Sequence, residues 1–164
     1  MRASLKALRL SAVLGAALAC LPALCAQQPL LYGTPVSLEK AKLAAAAAMA
    51  EAQKNGWLMA VAIVDPSGNL VLFERADSTQ TASLQLAIDK ARSSALFKRP
   101  TKVFEDQVAA GGLGLRQLKN PDVIPIEGGI PLMENGKIVG AIGVSGAQSA
   151  QDGQCAAAGA AQIH

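Results

Sequence analysis

The chain carries one histidine, His164, and it is the final residue of the sequence. That excludes a Ser-His-Asp or Cys-His catalytic arrangement within an ordered core, because each needs an imidazole held between two partners. Cysteine is scarce as well: Cys20, Cys25 and Cys155. No pair of cysteines or histidines has zinc-ligand spacing. Aromatic residues make up 3% of the chain, too few to read as a base-stacking platform. Long apolar runs are also missing. The run from Leu10 to Leu24 falls short of the ~20 residues that a membrane span needs.

That short run has company. Arg2, Lys6 and Arg9 precede it with no acid among them, and Leu24-Cys25-Ala26 comes just before Gln27-Gln28. A basic start, a short apolar stretch and small residues before a polar stretch mark a secretory signal. Cleavage is expected after Ala26, giving a signal over 1–26 and a periplasmic or secreted mature protein. A lipoprotein cut before Cys20 is the rival, and Ala17-Leu18-Ala19 matches a lipobox poorly. Loss of the signal removes three of 15 bases and none of 12 acids. The mature chain is then balanced at 12 of each sign, so its charge gives no reason to expect nucleic-acid binding. Cys155 remains alone, without an intrachain partner, and its plainest reading is burial. What is left is one domain large enough for a real core.

Residues 27–36 read as an extended leader, and residues 37–164 as the domain. Ser37 suits a helix N-cap, and Leu38 to Lys54 follows with alanines at 44–48, the strongest helix formers. That alanine run is expected to be a close-packing face. Trp57 to Val64 reads as a strand buried on both faces. Asp65-Pro66-Ser67-Gly68-Asn69 turns the chain into a return strand, Leu70 to Arg75. Ser83 to Phe97 has one apolar face at helical spacing. A short helix from a Thr101 cap to Ala109 and a flexible Gly111–Gly114 come next. Short strands are expected over Val123 to Ile126 and Ile130 to Glu134. Asn135-Gly136 is the strongest hairpin signal, with Lys137 to Val144 returning. A last helix opens at Asp152. Hairpins in this order argue for an antiparallel sheet with helices packed on it.

Few residues here are equipped for chemistry. Glu105 and Asp106 are neighbours on a helix, point apart, and read as a solvated face. Lys90 and Arg92 are either solvated or a basic pair for a ligand carboxylate. Arg75 is either a surface ion pair or an anion contact. Gly128-Gly129 and Ser145-Gly146 lie at strand boundaries, where a backbone or a flat ligand could come close.

Taken together, Val64-Asp65-Pro66-Ser67-Gly68-Asn69-Leu70-Val71, Phe73-Glu74-Arg75-Ala76-Asp77, Lys90-Ala91, Pro100-Thr101, Gly128-Gly129-Ile130-Pro131, the run Gly140 to Gly146 and Asp152 to Ala156 resemble the GlcG/HbpS family. The resemblance covers about Leu38 to Ala161. It implies an α/β (α+β) fold, a profilin-like three-layer α/β/α with an antiparallel sheet, and assembly into homo-oligomers. It also implies an exported haem-binding protein, a ligand binder more than an enzyme, acting in haem handling, breakdown or redox sensing. Lys90, Arg92 or Arg75 would then meet the propionates. The alternative is a sensor or accessory module for a small organic acid, held at Gly128, Gly129, Ser145 and Gly146. The chain departs from the family pattern at Ala76 and Ser78, and Ser93 or Ser94 replaces the helix threonine. The domain interior offers no histidine ligand. His164 and Met133 are the metal candidates, with Met49, Met59, Tyr32 and Cys155 behind them.

Overall fold

The computed structural model describes residues 29–164. The signal, its cleavage point, Cys20 and Cys25 lie outside the described residues.

Among the described residues, five strands form one sheet: β1 (Leu31–Tyr32), β2 (Ala60–Val64), β3 (Leu70–Arg75), β4 (Gly129–Glu134) and β5 (Lys137–Ser145). Strand β5 is central. Ile142 pairs with Ile130 of β4 on one side and with Ile63 of β2 on the other, both antiparallel. Strand β3 lies antiparallel outside β2, and β1 runs parallel to the first residues of β5. The leader is thus extended and also tied down. Gly33 and Val36 donate backbone hydrogen bonds to Ile138 and Val139 at 2.8 and 2.7 Å.

Helices cover both faces, which makes the architecture a three-layer α+β fold. Helices α1 (Leu38–Lys54) and α4 (Ser149–Ala160) pack on one face, and α2 (Thr81–Phe97) on the other. Side chains alternate across a strand, and the two faces are built differently. Val61, Ile63, Ile142 and Val144 turn their bulk toward α1, which meets them with Ala41, Ala44, Ala45, Ala48 and Ala52. Ala60, Ala62 and Ala141 turn toward α2, which answers with Ala87, Ala91 and Ala95. The alanine run is therefore a packing face, as its composition suggested. At Gly143 contact is closest, and a Cβ there would overlap the Ala87 carbonyl.

The turns follow their residues. Asp65 accepts from Ser67 and Asn69 backbone N–H groups at 2.8 and 2.9 Å. Asn135 and Gly136 both have positive φ, 49° and 73°, as a type I′ hairpin requires. Several boundaries differ from expectation. Strand β2 begins at Ala60, since Trp57 and Leu58 are still emerging from the turn at Gly56. Val123 to Ile126 forms no strand; Pro125 has no N–H for a ladder, and Ile124 donates instead to the Ser93 hydroxyl at 3.2 Å. Residues Gly112–Lys119 form a 3-10 segment after α3 (Lys102–Ala109) where a flexible stretch was expected. Helix α4 starts at Ser149 under a capping box from Gln148 and Gln151, three residues before Asp152.

Candidate functional site

Two centres emerge: one is filled, the other open. The filled centre gathers most of the residues singled out in the sequence. Lys90 is 0% exposed. Its Nζ donates to Asp152 Oδ2 at 2.6 Å and to the Val144 carbonyl at 3.1 Å. The expectation of a solvated Lys90 is overturned. Buried Ser83, Ala87, Ala91 and Ser94 share its helix face, so helical geometry carries the ammonium inward. Burial pushes the Lys90 ammonium down from its ordinary value, while Asp152 pulls it back up. Burial likewise pushes the Asp152 carboxyl up, against the pull of Lys90.

Gly128 and Gly129 frame this pair. Gly128 has φ +130°, and a Cβ there would sit 2.6 Å from the Val144 carbonyl and 2.9 Å from Lys90 Nζ. Gly129 N–H donates to Thr101 Oγ1 at 2.9 Å, so Thr101 stands at the N-cap of α3 as expected but spends its side chain on this turn and not on the helix. Ser145 is buried with its hydroxyl 3.2 Å from that of Ser83. At Gly146 a Cβ would run into the Leu58 carbonyl and Met59. These glycines admit neighbouring protein backbone, which fills the space a ligand would need. Glu105 also belongs to this region. It accepts from the Glu127 N–H at 2.7 Å and is half-buried, a correction to its reading as a solvated face. Burial, then the charge of Glu105, raises the Glu127 carboxyl.

The open centre lies at the C-terminal end of α1. Met49, Ala52, Gln53, Gly56, Trp57, Leu58, Glu74 and Ala76 line a cavity of about 410 Å³. That volume falls within the ~300–1,000 Å³ of small-ligand clefts. The wall is mostly apolar and holds one thioether and the only tryptophan of the chain. Arg75 sits on the opposite face of the sheet. It pairs with Ala60, which faces α2, whereas Glu74 pairs with Val61, which faces α1. Arg92 is exposed and lines a separate cleft on the α2 side.

The remaining soft donors are constrained. Cys155 is buried, and burial raises its thiol to about 11, so no thiolate is at hand. The Tyr32 hydroxyl donates to the Ala95 and Leu96 carbonyls at the end of α2. Met59 is fully buried. Met133 is half-buried on β4, and His164 is exposed. Among the described residues no cluster of three or more His, Cys, Asp or Glu could hold a metal ion, and no helix is long and apolar enough to cross a membrane.

The glycine motifs, the Lys90–Asp152 pair and the layered sheet together invite comparison with known proteins. The family model "Haem degrading protein HbpS-like" matches residues 36–161. The chain belongs to this HbpS-like family. Protein GlcG of Escherichia coli K12 is 38% identical over 110 residues, covering 67% of this chain and 81% of that protein. The crystal structure of an HbpS double mutant from Streptomyces reticuli superposes with a TM-score of 0.72 at 31% identity, covering 97% of this chain and 99% of that one. That of a PduOC:haem complex has a TM-score of 0.72 at 28% identity, covering 80% and 96%.

Sequence reasoning missed Trp57, Leu58 and Asp152 as partners in either centre. The spacing of Lys90 with Ala87 and Ala91 was a readable signal for Asp152, since a lysine on an apolar helix face needs a buried acid. Nothing in the local sequence marked the Trp57 cavity, which forms where the stretch from Met49 to Leu58 meets Glu74 and Ala76.

Proposed function

We propose that this protein binds haem in the Met49–Trp57 cavity and handles it outside the cytoplasm. The observation that carries the reading is the apolar, thioether-bearing cavity in a chain of the HbpS-like family, one of whose solved neighbours is a haem complex. The donor set suits the group. A methionine sulfur is an established haem-iron ligand, and Trp57 and Leu58 offer apolar surface to a porphyrin plane. Haem supplies iron redox and oxygen chemistry, and a thioether ligand raises its reduction potential. The chain's own part is to hold the ring, keep water from one face and leave the polar edge at the open rim. Lys54, the last residue of α1 and next in the chain to the lining residue Gln53, is a nearby cation, 74% exposed with a 3.6 Å contact to Glu51. Glu74 also lines the cavity, and its carboxylate would repel the propionates.

Export follows from the signal pattern in residues 1–26, and assembly into homo-oligomers is part of the same proposal. Leu113, Leu115 and Leu118 of the 3-10 segment are exposed at 73%, 48% and 61%, a surface suited to contact between copies. The small-organic-acid reading at Gly128, Gly129, Ser145 and Gly146 is weaker, because neighbouring backbone at Val144, Lys90 and Leu58 fills the space beside these glycines.

Titrating the purified mature chain with hemin tests the proposal. A saturable Soret shift at one haem per chain, with quenching of Trp57 emission, is the expected result. A spectrum that stays that of free hemin through micromolar protein rejects it.

A further inference from the structure

The second cleft lies on the far side of the sheet from the Met49 cavity. One wall is the outer face of α2. Gln85, Ile88, Asp89 and Arg92 fall three and four residues apart, hence on one side of the helix. The other wall is Pro121, Asp122 and Ile124, and the volume between them is about 310 Å³. Both walls are fixed. The Ile124 N–H donates to Ser93 Oγ at 3.2 Å, and Val123 is buried behind it. The stem of Arg92 lies against the first hairpin turn: a Cβ at Gly68 would be 3.5 Å from its Cγ.

The charges in this cleft are left open. Among the described residues, Arg92 and the Asp122 side chain enter no ion pair or side-chain hydrogen bond. Asp89 accepts only from Gln85, at 2.8 Å. A site of this make-up has a cation at one point, carboxylates at others, and the side chains of Ile88, Ile124 and Pro121 between them. A simple anion satisfies Arg92 and is repelled by both acids. A simple cation does the reverse. A molecule with both charges on one short frame satisfies each group at once.

We propose that this cleft binds a small zwitterion, an α-amino acid with an apolar side chain. Arg92 receives the carboxylate, Asp122 and Asp89 receive the ammonium, and Ile88 and Ile124 cover the side chain. The site is independent of haem, because the sheet lies between the two.

Calorimetric titration with leucine, N-acetyl-leucine and leucinamide separates the parts. Leucine is expected to bind saturably. N-acetyl-leucine lacks the ammonium and leucinamide lacks the carboxylate, and each is expected to bind at least about tenfold more weakly, the loss of one charged hydrogen bond. Arg92→Gln should abolish the advantage of leucine over leucinamide, and Asp122→Asn its advantage over N-acetyl-leucine. Both variants should keep the wild-type thermal melt and hemin titration, since both residues are at the surface. The proposal fails if N-acetyl-leucine or leucinamide binds as tightly as leucine. It also fails if none of the three binds at millimolar concentration, or if Asp122→Asn leaves leucine affinity unchanged.

Discussion

The two faces of the sheet solve the packing problem in opposite ways. Toward α2 the strands present Ala60, Ala62, Ala141 and Gly143, and the helix sits so close that its backbone nearly touches them. At the end of that seam, Lys90 and Asp152 form a sealed ion pair. Toward α1 the strands present large side chains against a row of alanines. That seam closes well along its length and opens where the helix ends, around Met49, Trp57 and Leu58. The tight face fixes the fold and the loose end leaves room. Residues that look functional because they are glycine or charge can serve the first purpose.

The tight face is the more sensitive to substitution. Gly143→Val should unfold the protein or cost about 3 kcal/mol or more, because its side chain collides with backbone on α2 that cannot step aside; urea denaturation measures it. Next comes Asp152→Ala. It strands a buried ammonium, and breaking such a pair costs about 3–5 kcal/mol. Lys90→Met with Asp152→Leu should recover most of that loss, since the apolar pair removes both desolvation penalties. A double variant no more stable than Asp152→Ala alone would mean that the pair does more than fill the seam.

The loose end should respond differently. Met49→Ala enlarges a partly open cavity, so its effect on the melt is modest, while hemin affinity should fall at least about tenfold, near 1.4 kcal/mol. Turn chemistry comes below that. Asp65→Ala loses the acceptor for Ser67 and Asn69, at about 1 kcal/mol. Burial opposes ionisation of Asp65, but its hydrogen bonds outweigh that and hold its carboxyl below the usual range. Its contribution is therefore present above the ordinary carboxylate range and lost as pH falls through the lowered folded value. Glu127 should show the reverse and smallest effect. Its folded value is raised by burial and by Glu105, so the stability it lends is present at low pH and lost as pH rises through that raised value. Glu127→Gln should accordingly gain on the wild type as pH increases from 4 toward 7, measured by parallel thermal melts.

Much of this architecture is legible in the chain. Alanine spacing in α1, the Asp65 turn and Asn135-Gly136 identify their elements because each depends on local propensity. The antiparallel sheet is legible from the order of the hairpins, and the three-layer arrangement from the resemblance to the GlcG/HbpS family. The centres were harder, for physical reasons. Lys90 and Arg92 are two residues apart on one helix, yet about 200° of helical rotation sends one into the seam and the other to solvent. Arg75 and Glu74 diverge in the same manner by strand alternation. The open cavity depends on where α1 stops relative to the end of β3, a tertiary distance that no local pattern encodes.

The Met49–Trp57 cavity and the arginine-bearing side of the sheet are the two places where haem could dock. Hemin titrations of the wild type, Met49→Leu, Arg75→Ala and Arg92→Ala, followed at the Soret band, decide between them. Haem binding at the Met49–Trp57 cavity predicts a displaced band and weakened binding for Met49→Leu, with both arginine variants matching the wild type. An unchanged Met49→Leu titration beside a lost Arg75→Ala or Arg92→Ala one would contradict it.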